Sequence, residues 1–177
     1  MIYNSKESEK SAVKHVAEMM AAAARTAPKA CGVDLIQTMI LDGEDKDKLT
    51  ATMREIGAAR DKFFIRDANN VDVCHCIVLI GAGVAPRGLN CGLCGIGKCE
   101  DAEKDGIACA LSVTDIGIAV GSAVSKAMDH RIDNRVLYTA GMATLKLKLF
   151  PGDIKICFGI GLSTTGKNVF FDRAPIE

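Results

Sequence analysis

The run Asn90-Cys91-Gly92-Leu93-Cys94-Gly95-Ile96-Gly97-Lys98-Cys99 constrains this chain more than any other stretch. Three thiols fall within nine residues and Cys109 follows ten residues later, a C-x2-C-x4-C-x9-C spacing. Thiols this close can wrap one small inorganic centre. Gly92, Gly95 and Gly97 let the backbone turn tightly and bring N–H groups near that centre without Cβ clashes.

Four Cys thiolates are the usual holders of an iron–sulfur cluster, and several irregular spacings serve. Cys91, Cys94, Cys99 and Cys109 are therefore the expected metal ligands. The backbone at Gly92, Gly95 and Gly97 is expected around the cluster, where amide hydrogen bonds to sulfur tune the reduction potential. Three other readings compete. Structural zinc also takes four thiolates, usually as two short knuckles, and here only Cys91-x2-Cys94 has that form. A disulfide framework needs an oxidising compartment. Unrelated thiols packed as small apolar side chains are the blandest alternative.

A chain of 177 residues can bury a sizeable core, and one domain, 1–177, is expected, with the Cys-rich loop 88–110 inserted. Lys+Arg and Asp+Glu are equal at 22 each, so no net field recruits nucleic acid or an anionic membrane. Eight Cys and a polar, charged start from Met1 to Lys10 point to a reducing compartment, the cytoplasm. Ile107 to Met128 is largely apolar and holds Gly117-x3-Gly121, but Asp115 lies within it. A helix buried by its own protein fits better than a membrane span.

Asn4 and Glu7 predict a capping box, and Val13, Val16, Ala17, Met20 and Ala24 give the following helix one apolar face. Pro28 ends that helix. A strand is expected at 35–41 and a helix at 45–59, with Leu49, Met53 and Ile56 inward. Residues 61–70 read as irregular or briefly helical. Residues 73–80 form the best strand, stopping at Gly81-Ala82-Gly83. That stop is a turn rather than a dinucleotide fingerprint, because the third Gly is missing and a Cys loop follows. Cys74 and Cys76, flanking His75, are expected as core thiols, as are Cys31 and Cys157.

Residues 100–106 read as a solvated segment, and the long helix begins near Gly106 with Cys109 in its first turn. The helix dipole there favours thiolate. Gly117 and Gly121 share a face that suits close packing within or between subunits. Asp115 is expected to meet a structural partner such as an Arg, with proton relay or ligand binding as the alternative. His130 is read as a capping or surface residue. A last helix is expected at 134–147, a final strand at 155–162, and a tail, 169–177, long enough to cross onto a partner.

Asn90-Cys91-Gly92, Cys94-Gly95, Cys99 and Cys109 together resemble a bacterial and archaeal family of uncharacterised proteins containing a ferredoxin domain. Asp115 to Ala123 and Ile132-Asp133-Asn134-Arg135 carry the same resemblance. Ala24-Arg25-Thr26-Ala27-Pro28-Lys29-Ala30 and Gly159-Ile160-Gly161 are more faintly similar to nitroreductase-like flavoproteins. That second resemblance implies an α+β sandwich, a mainly antiparallel sheet covered by helices, built as a homo-oligomer, and FMN as a cofactor. Flavin-binding members carry an Arg-rich phosphate clamp at the first helix, whereas residues 5–11 contain no Arg. Lys10 or Arg25 is left to bind the phosphate.

The combined expectation is a cytoplasmic redox protein with one cluster, of the [4Fe–4S] type, exchanging electrons with an unnamed partner and engaging neither nucleic acid nor membrane. An FMN-dependent oxidoreductase and a zinc-stabilised scaffold are the rivals.

Overall fold

The computed structural model describes residues 2–172. Its elements run α1 (Ser5–Thr26), a 3-10 turn (Ala30–Gly32), β1 (Ile36–Leu41), α2 (Gly43–Ala59), α3 (Lys62–Val73) and β2 (Cys76–Ala82). Then come α4 (Cys99–Lys104), α5 (Ala110–Asp129), β3 (Asp133–Leu137), α6 (Tyr138–Leu147) and β4 (Ile156–Ser163). The four strands form one antiparallel sheet in the order β1-β2-β4-β3.

All seven residues of β2 are buried, as a strand covered on both faces must be. Alternate side chains point to opposite faces. Cys76, Val78, Ile80 and Ala82 pack with Val13, Ala17 and Met20 of α1 and Ile116, Ala119 and Ala123 of α5. Ile77 and Leu79 pack the other way, with Leu49 and Met53 of α2, Ala68 and Val71 of α3, and Ala140 and Ala143 of α6. Each fully buried Val, Leu or Ile contributes roughly 1.5–3 kcal/mol. The result is the expected sandwich, an antiparallel sheet covered by helices.

The capping box is present: Glu7 N–H donates to Asn4 Oδ1 at 3.0 Å, and Asn4 N–H donates to the Glu7 carboxylate at 3.4 Å. The five apolar-face residues of α1 are its buried residues, and the helix stops at Thr26, before Pro28.

Four expectations change. Residues 62–73 are a full helix, hidden in the sequence because two of its buried positions, Asp67 and Asn70, are polar. Asp67 is satisfied there by Arg66 at 2.7 Å and by the Thr139 hydroxyl at 2.8 Å. That helix takes Val73 and leaves Cys74 as its C-cap, so the strand starts later, at Cys76. Asp133–Leu137 is an edge strand on β4, not the start of the last helix. Its polar residues have weak β preference, which cross-strand pairing overrides. Cys31 is exposed rather than core, at φ +56° in the 3-10 turn. The final expected segment, 169–177, lies partly outside the described residues.

Among the described residues no helix is long and apolar enough to cross a membrane. Helix α5 instead lays Ile116, Ala119, Ala123 and Ala127 against the sheet and α1. Gly117 and Gly121 lie on its exposed side, where an added Cβ would meet nothing within 4 Å of the same chain. Close packing within the chain falls elsewhere: a Cβ on Gly141 of α6 would run into the carbonyl of Cys157 in β4. Gly141→Ala is accordingly expected to destabilise the fold by about 3 kcal/mol or more, read as a fall in denaturation midpoint.

Burial pushes the thiols of Cys74, Cys76 and Cys157 up to about 12 from 9.0. In the unfolded chain these groups ionise near 9.0, in the folded chain only near 12. Their contribution to stability is therefore complete below pH 9.0 and is lost as pH climbs toward 12. Melting curves of wild type and Cys157→Ala across that window are expected to converge as pH rises, since the variant has one ionisable thiol fewer.

Candidate metal centre

The chain leaving β2 forms an irregular stretch, residues 83–98, before α4 begins. Cys91 and Cys94 lie in it, Cys99 is the first residue of α4, and Cys109 is the N-cap of α5. The long helix thus starts at Ala110, later than expected, and Cys109 stands just before its first turn. All four thiols line one pocket, whose remaining walls include Pro86, Ile96, Ala102 and Ala110. Cys91 is exposed, Cys94 and Cys99 are half-buried, and Cys109 is buried.

Among the described residues no three His, Cys, Asp or Glu side chains are grouped as a single metal ion requires. The four cysteines share the lining of one pocket, and four thiolates are the donor set of both iron–sulfur clusters and structural zinc. The donor set is all thiol, the walls are apolar, and all eight cysteines are unpaired.

Gly92 and Gly95 take φ of +70° and +87°, conformations that glycine adopts without the Cβ penalty. The Gly95 N–H donates to Gly92 C=O at 2.9 Å, closing the turn between Cys91 and Cys94. Gly97 is outside the left-handed region and has open space around it, so the loop does not require glycine there. Asn90 brackets Cys99: its N–H donates to Cys99 Sγ at 3.3 Å, and its Oδ1 accepts from Cys99 N–H at 2.8 Å. Sequence reasoning missed this role of Asn90. The available sequence signal is its place directly before Cys91, as a residue type that tolerates the left-handed region; it adopts φ +48°.

Burial alone would raise the Cys109 thiol, but it is lowered on balance. The N–H groups of Ser112 and Leu111 and the Arg87 N–H together outweigh burial. The first two amides belong to the opening turn of α5, whose dipole also favours thiolate.

Asp115 meets the structural Arg that its burial demanded: Arg87 Nη2 donates to Asp115 Oδ2 at 2.8 Å, and both side chains are buried. The other carboxylate oxygen accepts from Ala30 N–H at 2.9 Å. His130 is the C-cap of α5 and exposed. Cys74, Cys76 and Cys157 are buried away from the pocket, and Cys31 does not line it. Lys10 is exposed on α1, while Arg25 donates to Ile36 C=O at 2.6 Å and pairs with Asp34 at 3.1 Å.

Known proteins share the fold and identify the family. The model of a family described as "uncharacterized protein containing a ferredoxin domain" matches residues 105–173, which include Cys109 and α5 but not Cys91, Cys94 or Cys99. A nitroreductase with bound FMN from Desulfitobacterium hafniense superposes with a TM-score of 0.61 at 12% identity, over 86% of this chain and 78% of that one. A putative nitroreductase in complex with FMN from Desulfovibrio desulfuricans gives 0.58 at 13% identity, over 92% and 80%. The NADPH:FMN oxidoreductase of Vibrio harveyi gives 0.57 at 10% identity over 87% of this chain, which spans only 60% of that longer protein. At such identities the likeness is one of fold. An uncharacterised protein of Archaeoglobus fulgidus is 41% identical over 184 residues, covering 99% of each chain. With that full-length relative and the family match through Cys109 and α5, the chain belongs to the family of uncharacterised proteins containing a ferredoxin domain.

Proposed function

We propose that this chain is a redox protein carrying one iron–sulfur cluster, of the [4Fe–4S] type, on Cys91, Cys94, Cys99 and Cys109. The observation that carries the reading is the convergence of four thiols from a loop, the start of α4 and the cap of α5 on one apolar-walled pocket. When bound, such a cluster accepts and releases single electrons. The chain's own part is to hold the sulfurs, donate N–H groups to them and set their access to solvent. Asn90 N–H faces Cys99 Sγ, and the amides of Ser112, Leu111 and Arg87 face Cys109. Such hydrogen bonds favour the more negative, reduced form. The exposed Cys91 edge suits exchange with a redox partner. A cytoplasmic location belongs to the same reading, since thiols stay reduced there.

An FMN-dependent reductase is the second reading, supported by the FMN bound in the Desulfitobacterium and Desulfovibrio proteins of the same fold. Arg25, already held by Asp34 and the Ile36 carbonyl, would have to leave those partners to bind a flavin phosphate. Assembly as a homo-oligomer is a further part of the proposal. Val113, Gly117, Ile118 and Gly121 form an exposed, uncharged face on α5.

Anaerobically prepared protein is expected to be brown, with about four iron and four sulfide per chain on the cluster type proposed. Stoichiometric zinc without colour would sink the electron-transfer reading, and flavin released on denaturation would favour the reductase. Cys109→Ser is expected to cut iron content and change the spectrum; an unchanged spectrum would remove Cys109 from the ligand set. Gly95→Ala, at φ +87°, is expected to cost about 1 kcal/mol and lower iron occupancy, while Gly97→Ala should stay within about 0.5 kcal/mol of wild type. Chemical denaturation of the metal-free chains and iron assays of the loaded ones separate the two.

A further inference from the structure

Residues 84–87 run as a strap along the first two turns of α5. Val84 C=O accepts from Cys109 N–H at 3.1 Å, Ala85 C=O accepts from the Ser112 hydroxyl at 2.8 Å, and Arg87 pairs with Asp115 at 2.8 Å. Positions 109, 112 and 115 are spaced by three and so lie along one side of the helix. Directly after Arg87, Gly88 at φ +72° turns the chain into the segment holding Cys91, Cys94 and Cys99. The strap is thus the covalent and hydrogen-bonded link between the loop thiols and the helix thiol.

The last rung is unlike the other two. Arg87 and Asp115 are both charged, their side chains are 2% and 5% exposed, and the Arg87 Nε is buried without a partner. Replacing such a pair with apolar residues often leaves stability unchanged or better, so stability alone does not account for it. Its location does: Arg87 is the last strap residue before Gly88 turns the chain into the thiol loop, and Asp115 lies on the side of α5 whose N-cap is Cys109.

We infer that Arg87 and Asp115 are positioning residues for the proposed cluster, holding Cys109 against the loop thiols and keeping the buried charge beside the cluster balanced. The inference rests on the iron–sulfur reading. Asp115 acts here in two ways. Its carboxylate compensates a guanidinium that cannot deprotonate, and through Ala30 N–H it ties the clasp to the turn after α1. Reduction adds negative charge to a cluster, so an uncompensated buried cation nearby makes reduction easier.

The test compares loaded wild type, Asp115→Asn, Arg87→Lys and the double variant Arg87→Gln/Asp115→Asn by redox titration, by iron per chain and by rate of iron loss to a chelator. Asp115→Asn is expected to raise the midpoint potential. The double variant, with neither charge, is expected to return toward the wild-type potential yet lose iron faster. Arg87→Lys, which keeps the charge without the planar fork, is expected to hold the wild-type potential and also lose iron faster. A potential for Asp115→Asn at or below wild type overturns the inference. If Asp115→Asn does not fold, Arg87→Lys decides: iron loss at the wild-type rate overturns the inference, and faster loss supports it. Wild type that binds no iron and sulfide removes the cluster reading and this inference with it, whereas a loaded wild type with unshifted variants removes the inference alone.

Discussion

Burial of β2 on both faces is the constraint on which the rest depends. A strand with no solvent face needs two helical layers, and the two hydrophobic clusters divide its side chains between them by simple alternation. Helices α1 and α5 cover one face, and α2, α3 and α6 the other. Because β2 pairs with β1 on one side and β4 on the other, its end is also fixed laterally. The chain therefore leaves Ala82 from a defined point, already beside the start of α5. The Cys loop begins from that point, so its anchorage is inherited from the core.

From there the loop is held by polar contacts rather than by packing. Leu89 and Leu93 are exposed, and the order of the segment comes from the strap on α5, the Gly92–Gly95 turn and the two Asn90 contacts to Cys99. Ordering such a segment costs roughly 1–2 kcal/mol per residue in backbone entropy. A few hydrogen bonds, at about 1 kcal/mol net each, offset only part of that. In the proposed reading, ligation of a cluster by the four thiolates would supply the missing term, since metal binding free energy is folding free energy for a segment of this kind.

The sequence was most legible where one physical signal dominated. The first helix could be read from Asn4, Glu7 and the spacing of its apolar face because capping and periodicity agree there. The Cys loop was legible because thiol spacing and glycine coincide. Legibility was lost where burial and polarity were uncoupled. Asp67 and Asn70 are buried and polar, and they concealed α3; Asp133, Asn134 and Arg135 are polar and yet in a strand, because β4 supplies the ladder. Asp115 lies between these cases. Its burial on an apolar helix called for a cation, but nothing in sequence distance indicated that Arg87, 28 positions earlier, would be the one. Asn90 went unassigned for a similar reason, since its contact to Cys99 depends on a turn that only the folded loop displays.

The donor set is divided between scaffold and loop, and that division has a physical consequence. Cys109 is buried, its N–H is bonded to Val84, and its helix packs against the sheet, so its position is set before any centre binds. Cys91, Cys94 and Cys99 reach the same pocket through turns stabilised locally. A centre held there has one ligand fixed to the rigid body of the protein and another, Cys91, at the surface. The buried end controls charge and hydrogen bonding, the levers that set potential. In the proposed reading, the exposed end would set the distance of approach for a redox partner. The nitroreductase-like sandwich supplies the first of these directly, because α5 is one of its core helices. The loop adds the second, and on the proposed reading this separation would let a common fold carry a cluster without rebuilding its core.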